Sequence, residues 1–389
     1  MPEKKYDSGK VQIMNIEINE IKDKLHEINW DFTSSSATKG IHSIHPYPAK
    51  FIPEIPRTLL DTLPLPKGTA VLDPFCGSGT TLVEAQSKGY PTVGVDLNPI
   101  ACLISTVKTN TLPSNFVDLA EECINKAEKN SNEINKEIPN INHWFKEDIQ
   151  HAISVLVSEI DKVENEITRN GLRLALSSII VRVSNQESDT RYAAIEKNVT
   201  KENVFSYFLV ACQKLSQYLG RNLFKDKLSA QIINKSILEV TPSDIKRPIG
   251  MVITSPPYPN AYEYWLYHKY RMWWLGYNPN EVKTSEIGAR AHYFKKNHQT
   301  IDDFILQMDI VMELLTKVVV SSGYICFVVG RSIIHGKYYD NSKIIEELAL
   351  KHNLSIVAMI DRNIAKHRKS FNLSHAKIKK ETLLVLQKI

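Results

Sequence analysis

Two short segments carry residue types from which a ligand site is built. The first is Asp73-Pro-Phe-Cys-Gly-Ser-Gly-Thr80. Ahead of it lies Ala70-Val-Leu-Asp73, a short apolar run with the signature of a buried parallel strand. Behind it, residues 80–88 read as a helix closed by Gly89. Gly77 and Gly79 let the chain turn tightly and let a ligand approach the main chain. The helix start offers free N–H groups, with the hydroxyls of Thr80 and Thr81 beside them, and suits an anionic group. Thr92-Val-Gly-Val-Asp96 is a second buried strand, so the whole is a βαβ unit. Asp96 ends that strand, where an acid accepts hydrogen bonds from ribose hydroxyls. A dinucleotide fingerprint would need a third glycine where Leu82 stands, and a P-loop would need Gly-Lys-Ser/Thr; neither is present. A tight turn with no ligand is the competing reading.

The form Asp-Pro-Phe-x-Gly-Ser-Gly-Thr resembles the cofactor motif of the amino-methylating DNA methyltransferases, which act on N4 of cytosine or N6 of adenine. That resemblance implies S-adenosyl-L-methionine as cofactor. It places Asp73 near the methionine part and Asp96 on the ribose, with Phe75, Gly77, Gly79, Thr80, Thr81 and Asn98 completing the cofactor-binding set. Upstream, His45-Pro-Tyr-Pro-Ala-Lys-Phe-Ile-Pro-Glu-Ile-Pro56 is dense in proline and aromatics. Such a run is expected to be a loop, neither helix nor central strand. It also matches a family segment that closes over the cofactor, with Tyr47, Lys50 and Phe51 as the contacts. Structural packing of the same loop is the alternative.

The second segment is Thr254-Ser-Pro-Pro-Tyr258, after the apolar run Gly250-Met-Val-Ile-Thr254. Two prolines forbid continuation of the sheet and stiffen the turn. Methylating an exocyclic amine requires acceptors on its N–H groups, which localise the nitrogen lone pair toward the methyl donor. Ser255 supplies a hydroxyl acceptor and Pro256 a rigid carbonyl; Pro257 fixes the turn, and Tyr258 can stack on a base drawn out of the duplex. The tetrapeptide matches the family's catalytic motif, and serine in first place is typical of the cytosine enzymes. Methylation of carbon-5 would instead need a Pro-Cys nucleophile, and no cysteine here follows a proline. The resemblance extends to the aromatic stretch ending in Trp273-Trp274-Leu275, to Val329-Gly-Arg-Ser332 and to the final apolar run, Thr382-Leu-Leu-Val-Leu386. One departure is the acid expected in a Gly-Asp-Ala-like turn before the catalytic strand to meet the cofactor adenine: a shift of Asp244 or Glu239 into that role and loss of the contact are both open readings.

The elements that must position these segments divide the chain as follows. Residues 1–40 form an N-terminal arm with one amphipathic stretch near 16–30, and 41–105 the cofactor-binding part of the catalytic domain. Residues 106–229 read as a helical insertion, a possible target-recognition region, docked through the apolar run 171–183. The sheet resumes near Gly250, within a catalytic part at 230–389 whose later strand candidates are 324–330, 354–360 and 382–386. The expected fold is therefore α/β: a Rossmann-like methyltransferase sheet with helices on both faces and a mostly helical insertion.

A net charge of +5 over 389 residues leans mildly toward a polyanionic partner. Double-stranded DNA is the expected partner, with a cognate restriction endonuclease possible in the same system. Arg182, Ser184, Asn185, Arg191 and Tyr192 in the insertion, and Arg362, Lys366, Arg368, Lys369, Lys377, Lys379 and Lys380 near the end, are candidate DNA contacts. Five scattered cysteines without CxxC spacing argue against a zinc site or disulfide framework, and the polar first ten residues are unlike a signal peptide. A cytoplasmic location is the expectation. N6-adenine methylation of DNA, an RNA base methyltransferase and a non-catalytic DNA-binding subunit are the competing functions.

Overall fold

A computed structural model describes residues 8–33, 39–130, 137–189, 191–220, 230–259, 263–294, 298–364 and 380–389. A seven-stranded sheet organises them, made of β1 (Ala70–Asp73), β2 (Thr92–Asp96), β3 (Ala230–Asn234), β4 (Ile249–Thr254), β5 (Val319–Val329), β6 (Leu354–Asn363) and β7 (Lys380–Lys388). Across the sheet the order is β6-β7-β5-β4-β1-β2-β3. β1 is parallel to β2 and β4, β2 to β3, and β4 to β5; β7 alone runs antiparallel, between β5 and β6. From β1 the chain winds outward to β3, then returns to place β4 on the other side of β1. The carboxyl ends of β1 and β4 therefore flank a topological switch point, where open α/β sheets bind ligands.

Period-two alternation divides the strand residues between two cores. Val71, Met251, Ile253, Cys326, Val328, Leu383 and Val385 face a layer holding Leu25, Ile55 and Leu59. Leu72, Val252, Ile325, Phe327, Leu384 and Leu386 face the opposite layer with Met308, Val311, Leu315 and Ile345. The first layer draws on α1 (Ser8–Glu27), α2 (Glu54–Thr62) and α3 (Thr80–Ser87). The second draws on α10 (Ile301–Val318) and α11 (Asn341–Lys351), taking the intervening long helices as α4 to α9.

Those helices are α4 (Pro99–Lys108), α5 (Phe116–Lys129), α6 (Glu147–Asp161), α7 (Glu166–Val183), α8 (Lys201–Leu219) and α9 (Tyr264–Trp274). They share one further core in which Ile100, Ile104 and Val107 of α4 meet Phe116, Leu172, Leu176, Phe208 and Trp274. The run 171–183 thus docks the insertion as expected. Gly171 permits the close approach, since a Cβ there would lie 2.8 Å from Leu112 and Phe116. Among the described residues no helix is long and apolar enough to cross a membrane.

Three sequence readings are corrected. The proline-rich run is not wholly loop: α2 begins at Glu54 and carries Pro56 in its first turn, where the missing N–H has no intrahelical partner to lose. The sheet resumes earlier than Gly250, at β3, a half-exposed edge strand whose short Ile-Ile centre gave little pattern. The helical insertion also contains a small antiparallel hairpin, Gln186–Ser188 with Arg191–Ala194.

Candidate active site

The glycine turn is built by backbone hydrogen bonds that only glycines allow. Gly77 and Gly79 adopt φ of 47° and 73°. A Cβ on Gly79 would lie 2.7 Å from Ser105 Oγ, so α4 can pack here only against glycine. The Gly77 amide donates to Asp96 Oδ2 at 2.8 Å, and the Asn98 amide to Asp96 Oδ1 at 2.8 Å. Asp96 therefore fixes the turn from the next strand, and each oxygen retains acceptor capacity. Burial pushes its carboxyl up to about 6, against these two hydrogen bonds. Lys108, buried in α4, donates to the Ser78 carbonyl at 2.7 Å and holds the turn from behind.

Asp73 clasps the two halves of the site. Its Oδ1 accepts from Thr254 Oγ1 at 2.7 Å and from the Phe75 amide at 3.1 Å. The last residue of β1 is thereby tied to the last residue of β4, directly before Ser255. Burial raises the Asp73 carboxyl to about 6, opposed by the hydrogen bonds from Thr254 and Phe75.

The proline-rich loop covers the turn. Tyr47 stacks on Tyr264 with centroids 5.7 Å apart and on His268 at 5.1 Å. Its ring lies where a Cβ on Gly77 would come within 3.3 Å. Lys50 turns inward and donates to the carbonyls of His42 and His45 at 2.6 and 2.7 Å; burial lowers its pKa to about 8. His45 Nε2 lies 2.9 Å from Ser177 Oγ and anchors the loop to α7.

A cavity of about 730 Å³ opens between these parts, within the range of ligand sites. Ser255, Pro256, Pro257 and Tyr258 line it together with Tyr47, Lys50, Phe51, Asp73, Phe75, Gly77, Thr80, Asp96 and Asn98. Gly79 and Thr81 are not in its wall: Gly79 packs on Ser105, and Thr81 donates to the Ile253 carbonyl at 3.3 Å, between strand and helix.

Sequence reasoning missed Ser236 and Ile237, which line the cavity just beyond β3. They precede Glu239 and Asp244, the acids considered for the adenine contact, neither of which is in the cavity wall. Asp244 is instead occupied in a capping box with Thr241 and an ion pair with Lys235 at 3.3 Å. Glu286 and Arg290 also line the cavity and were not singled out; Arg331 lines it too, within the Val329-Gly-Arg-Ser332 stretch, to which no site role was given. Spacing in the chain gave no signal for Glu286 and Arg290.

Two candidate DNA contacts, Arg362 and Ser184, are buried, and several others have partners within the chain. Arg362 is 2% exposed, donates to the Trp30 carbonyl at 2.9 Å and pairs with Glu381. Ser184 is buried, and Arg182 lies 3.4 Å from the Tyr207 ring centroid. Asn185 bonds back to the His143 carbonyl, and the exposed Arg191 pairs with Glu187. Lys380 lies 3.7 Å from Asp361. Tyr192 remains on the surface of the hairpin. Lys366, Arg368, Lys369, Lys377 and Lys379 lie outside the described residues.

A predominantly parallel sheet with a single reversed strand, and a glycine turn and carboxylate at its switch point, is the α/β arrangement expected of a methyltransferase-type fold. Residues 1–107 match a family model described as DNA methylase. The type II methyltransferase M.MvaI of Kocuria varians is 26% identical over 267 residues, 62% of this chain and 58% of the relative. M.BsoBI of Geobacillus stearothermophilus is 24% identical over 303 residues, 68% of this chain and 58% of the relative. The chain thus spans somewhat more than half the length of each. M.MjaII of Methanocaldococcus jannaschii is 39% identical over 87 residues, 21% of this chain and 16% of the relative. Among solved structures, the rRNA methyltransferase aviRa of Streptomyces viridochromogenes superposes at a TM-score of only 0.33 and 11% identity, over 88% of this chain and 86% of that one. The chain is thus similar to DNA methylases over its first 107 residues and to type II methyltransferases along about two thirds of its length.

S-adenosyl-L-methionine is the cofactor that the sequence motifs imply, and the cavity wall fits it. Asp96 offers spare lone pairs beside the turn. Asn98 Nδ2, buried at the same wall, has no hydrogen-bond partner among the described residues.

Proposed function

We propose that the protein transfers a methyl group from S-adenosyl-L-methionine to the exocyclic N4 amine of a cytosine in double-stranded DNA. The observation that carries this reading is the meeting of the Ser255–Tyr258 turn and the Asp96-held glycine turn in one cavity. The cofactor supplies an electrophilic sulfonium methyl. The chain's own residues supply alignment. Asp96 and Asn98 hold the ribose, and Asp73, through Thr254, fixes the start of the catalytic turn. Ser255 Oγ and the Pro256 carbonyl would accept the two amine hydrogens, directing the nitrogen lone pair at the methyl, and the proton that the methylated nitrogen sheds would leave to solvent by way of one of these acceptors. Tyr258 stacks on the extruded base and offsets part of the flipping cost of a few kcal/mol. Positioning of this kind contributes on the order of 7–11 kcal/mol.

Covalent attack on carbon-6, the route to 5-methylcytosine, lacks its nucleophile. Of the five cysteines only Cys76 lines the cavity, and burial pushes its thiol well above the ordinary value, away from the thiolate. Serine at 255, where an acid or asparagine is typical of adenine enzymes, favours cytosine. The reading also implies cytoplasmic residence and a place in a restriction-modification system beside a cognate endonuclease.

Mass spectrometry of nucleosides from methylated DNA tests the reading. N4-methylcytosine is expected. N6-methyladenine alone would overturn the choice of base, and methyl transfer to RNA but not DNA would overturn the choice of polymer.

A further inference from the structure

Helix α9 begins six residues after Tyr258, and its first residue, Tyr264, stacks on Tyr47 above the glycine turn. Its first-turn amides need acceptors. The residue before it, Glu263, provides no side-chain cap. Glu286 provides it from 22 residues downstream: Oε1 accepts from the Tyr264 amide at 2.7 Å and Oε2 from the Trp265 amide at 3.1 Å. This carboxyl is 8% exposed and lines the cavity. A local serine or aspartate would cap an exposed helix at far lower desolvation cost.

Two residues on, Gly288 has φ of 74°, and a Cβ there would lie 2.8 Å from the Tyr258 carbonyl oxygen. The same turn therefore touches the catalytic segment at both ends: Gly288 against Tyr258, Glu286 against Tyr264. Around Glu286 stand Asp96 from β2, Tyr47 from the proline-rich loop and Glu263 from the head of α9. Arg290 lines the same cavity from the following short helix. Burial first, then the Asp96 and Glu263 charges, raise the Glu286 carboxyl to about 8, with the two amides opposing.

We propose that the turn Glu286-Ile287-Gly288 is a positioning element of the active site, in which Gly288 seats the base-stacking tyrosine and Glu286 seats the Tyr264–Tyr47 cover over the cofactor turn. The inference rests on the assignment of Ser255–Tyr258 to the amine and of the glycine turn to the cofactor. It predicts a division of labour between the two residues. Gly288→Ala must move the Tyr258 backbone, and displacements near 1 Å cost about 100-fold in rate. Its methyl-transfer kcat should fall about that far, with cofactor affinity within about three-fold of the wild type. Glu286→Gln keeps the shape but turns an N–H₂ toward one amide. It should weaken S-adenosylmethionine binding about ten-fold, the scale of leaving one buried amide without its acceptor, with a smaller effect on kcat at saturating cofactor.

Calorimetric titration with S-adenosylmethionine, single-turnover methyl transfer and melting temperature are measured on the 389-residue chain and both variants. If the wild type binds no S-adenosylmethionine, the functional reading itself fails. If the wild type binds and both variants match it, the turn has no positioning role. Equal losses of affinity and rate in both variants, tracking a fall in melting temperature, would likewise overturn the proposal, because a merely structural turn would not separate the two constants.

Discussion

Asp96 and Tyr258 line one cavity from different segments, and their removal should separate binding from chemistry. Asp96 accepts two backbone amides of the cofactor turn. Asp96→Ala leaves those donors buried without a partner, each costing about 1–3 kcal/mol. Cofactor affinity measured by calorimetry should fall at least about ten-fold. Tyr258→Ala and Pro257→Ala touch neither amide, so methyl transfer should be lost while cofactor still binds. An Asp96→Ala protein with unchanged affinity would show that the ribose lies elsewhere. Glu286 gives a third prediction, in pH. Its carboxyl rises from an ordinary 4.5 to about 8 in the folded chain. Between those values the folded state holds more protons than the unfolded one, so stability due to this group falls as pH rises. Compared with Glu286→Gln, the wild type should lose melting temperature from about pH 4.5 to about pH 8 and then run level. A constant difference across that window would show that Glu286 ionises as an exposed residue does. Asp96 and Tyr258 were legible from short motifs. Glu286 was not, because only the fold carries a glutamate from a polar stretch to the head of α9.

At the scale of elements, legibility followed how much of a segment's environment is local. β1, β2 and β4 are buried on both faces and show it as unbroken apolar runs. β3 has one edge free and its residues half-exposed, so its pattern is faint. The 186–194 hairpin is held to α9 by the Arg271–Asp189 ion pair, a contact no local pattern announces. Arg362 is the sharpest case. In the chain it belongs to a basic region; in the fold it joins the segment after α1 to β6 and β7 through Trp30 and Glu381. Arg362→Ala leaves the Trp30 carbonyl and a partly buried Glu381 without this donor. Removing one partner of a buried ion pair costs about 3–5 kcal/mol. Denaturant unfolding should show a loss near that size, with non-specific DNA affinity unchanged at matched salt. Weakened DNA binding with unchanged stability would restore the phosphate-contact role.

At the scale of the molecule, the order of the motifs was legible, and so was the helical character of the segment between them. Its independence was not. Residues 106–229 read as an insertion, yet their helices share a core with α4 and α9, both next to the site. The segment's ends lie together, since the Leu112 amide donates to the Leu219 carbonyl at 3.2 Å. That geometry makes a direct test possible: residues 116–219 replaced by a short glycine-serine bridge. A self-contained insertion would leave a folded catalytic domain behind. The shared core argues otherwise. Removal would expose Ile100, Leu103, Ile104 and Val107 of α4, all now buried. At about 1.5–3 kcal/mol for each such side chain, the loss is about 6–12 kcal/mol, comparable to the whole stability of a typical domain. Ser105 and Lys108 of the same helix support the glycine turn, so the damage should reach the cofactor site as well. The shortened chain should be insoluble or molten and bind no S-adenosylmethionine. A soluble shortened chain with a cooperative melt and wild-type cofactor affinity would show that the insertion is a separate domain.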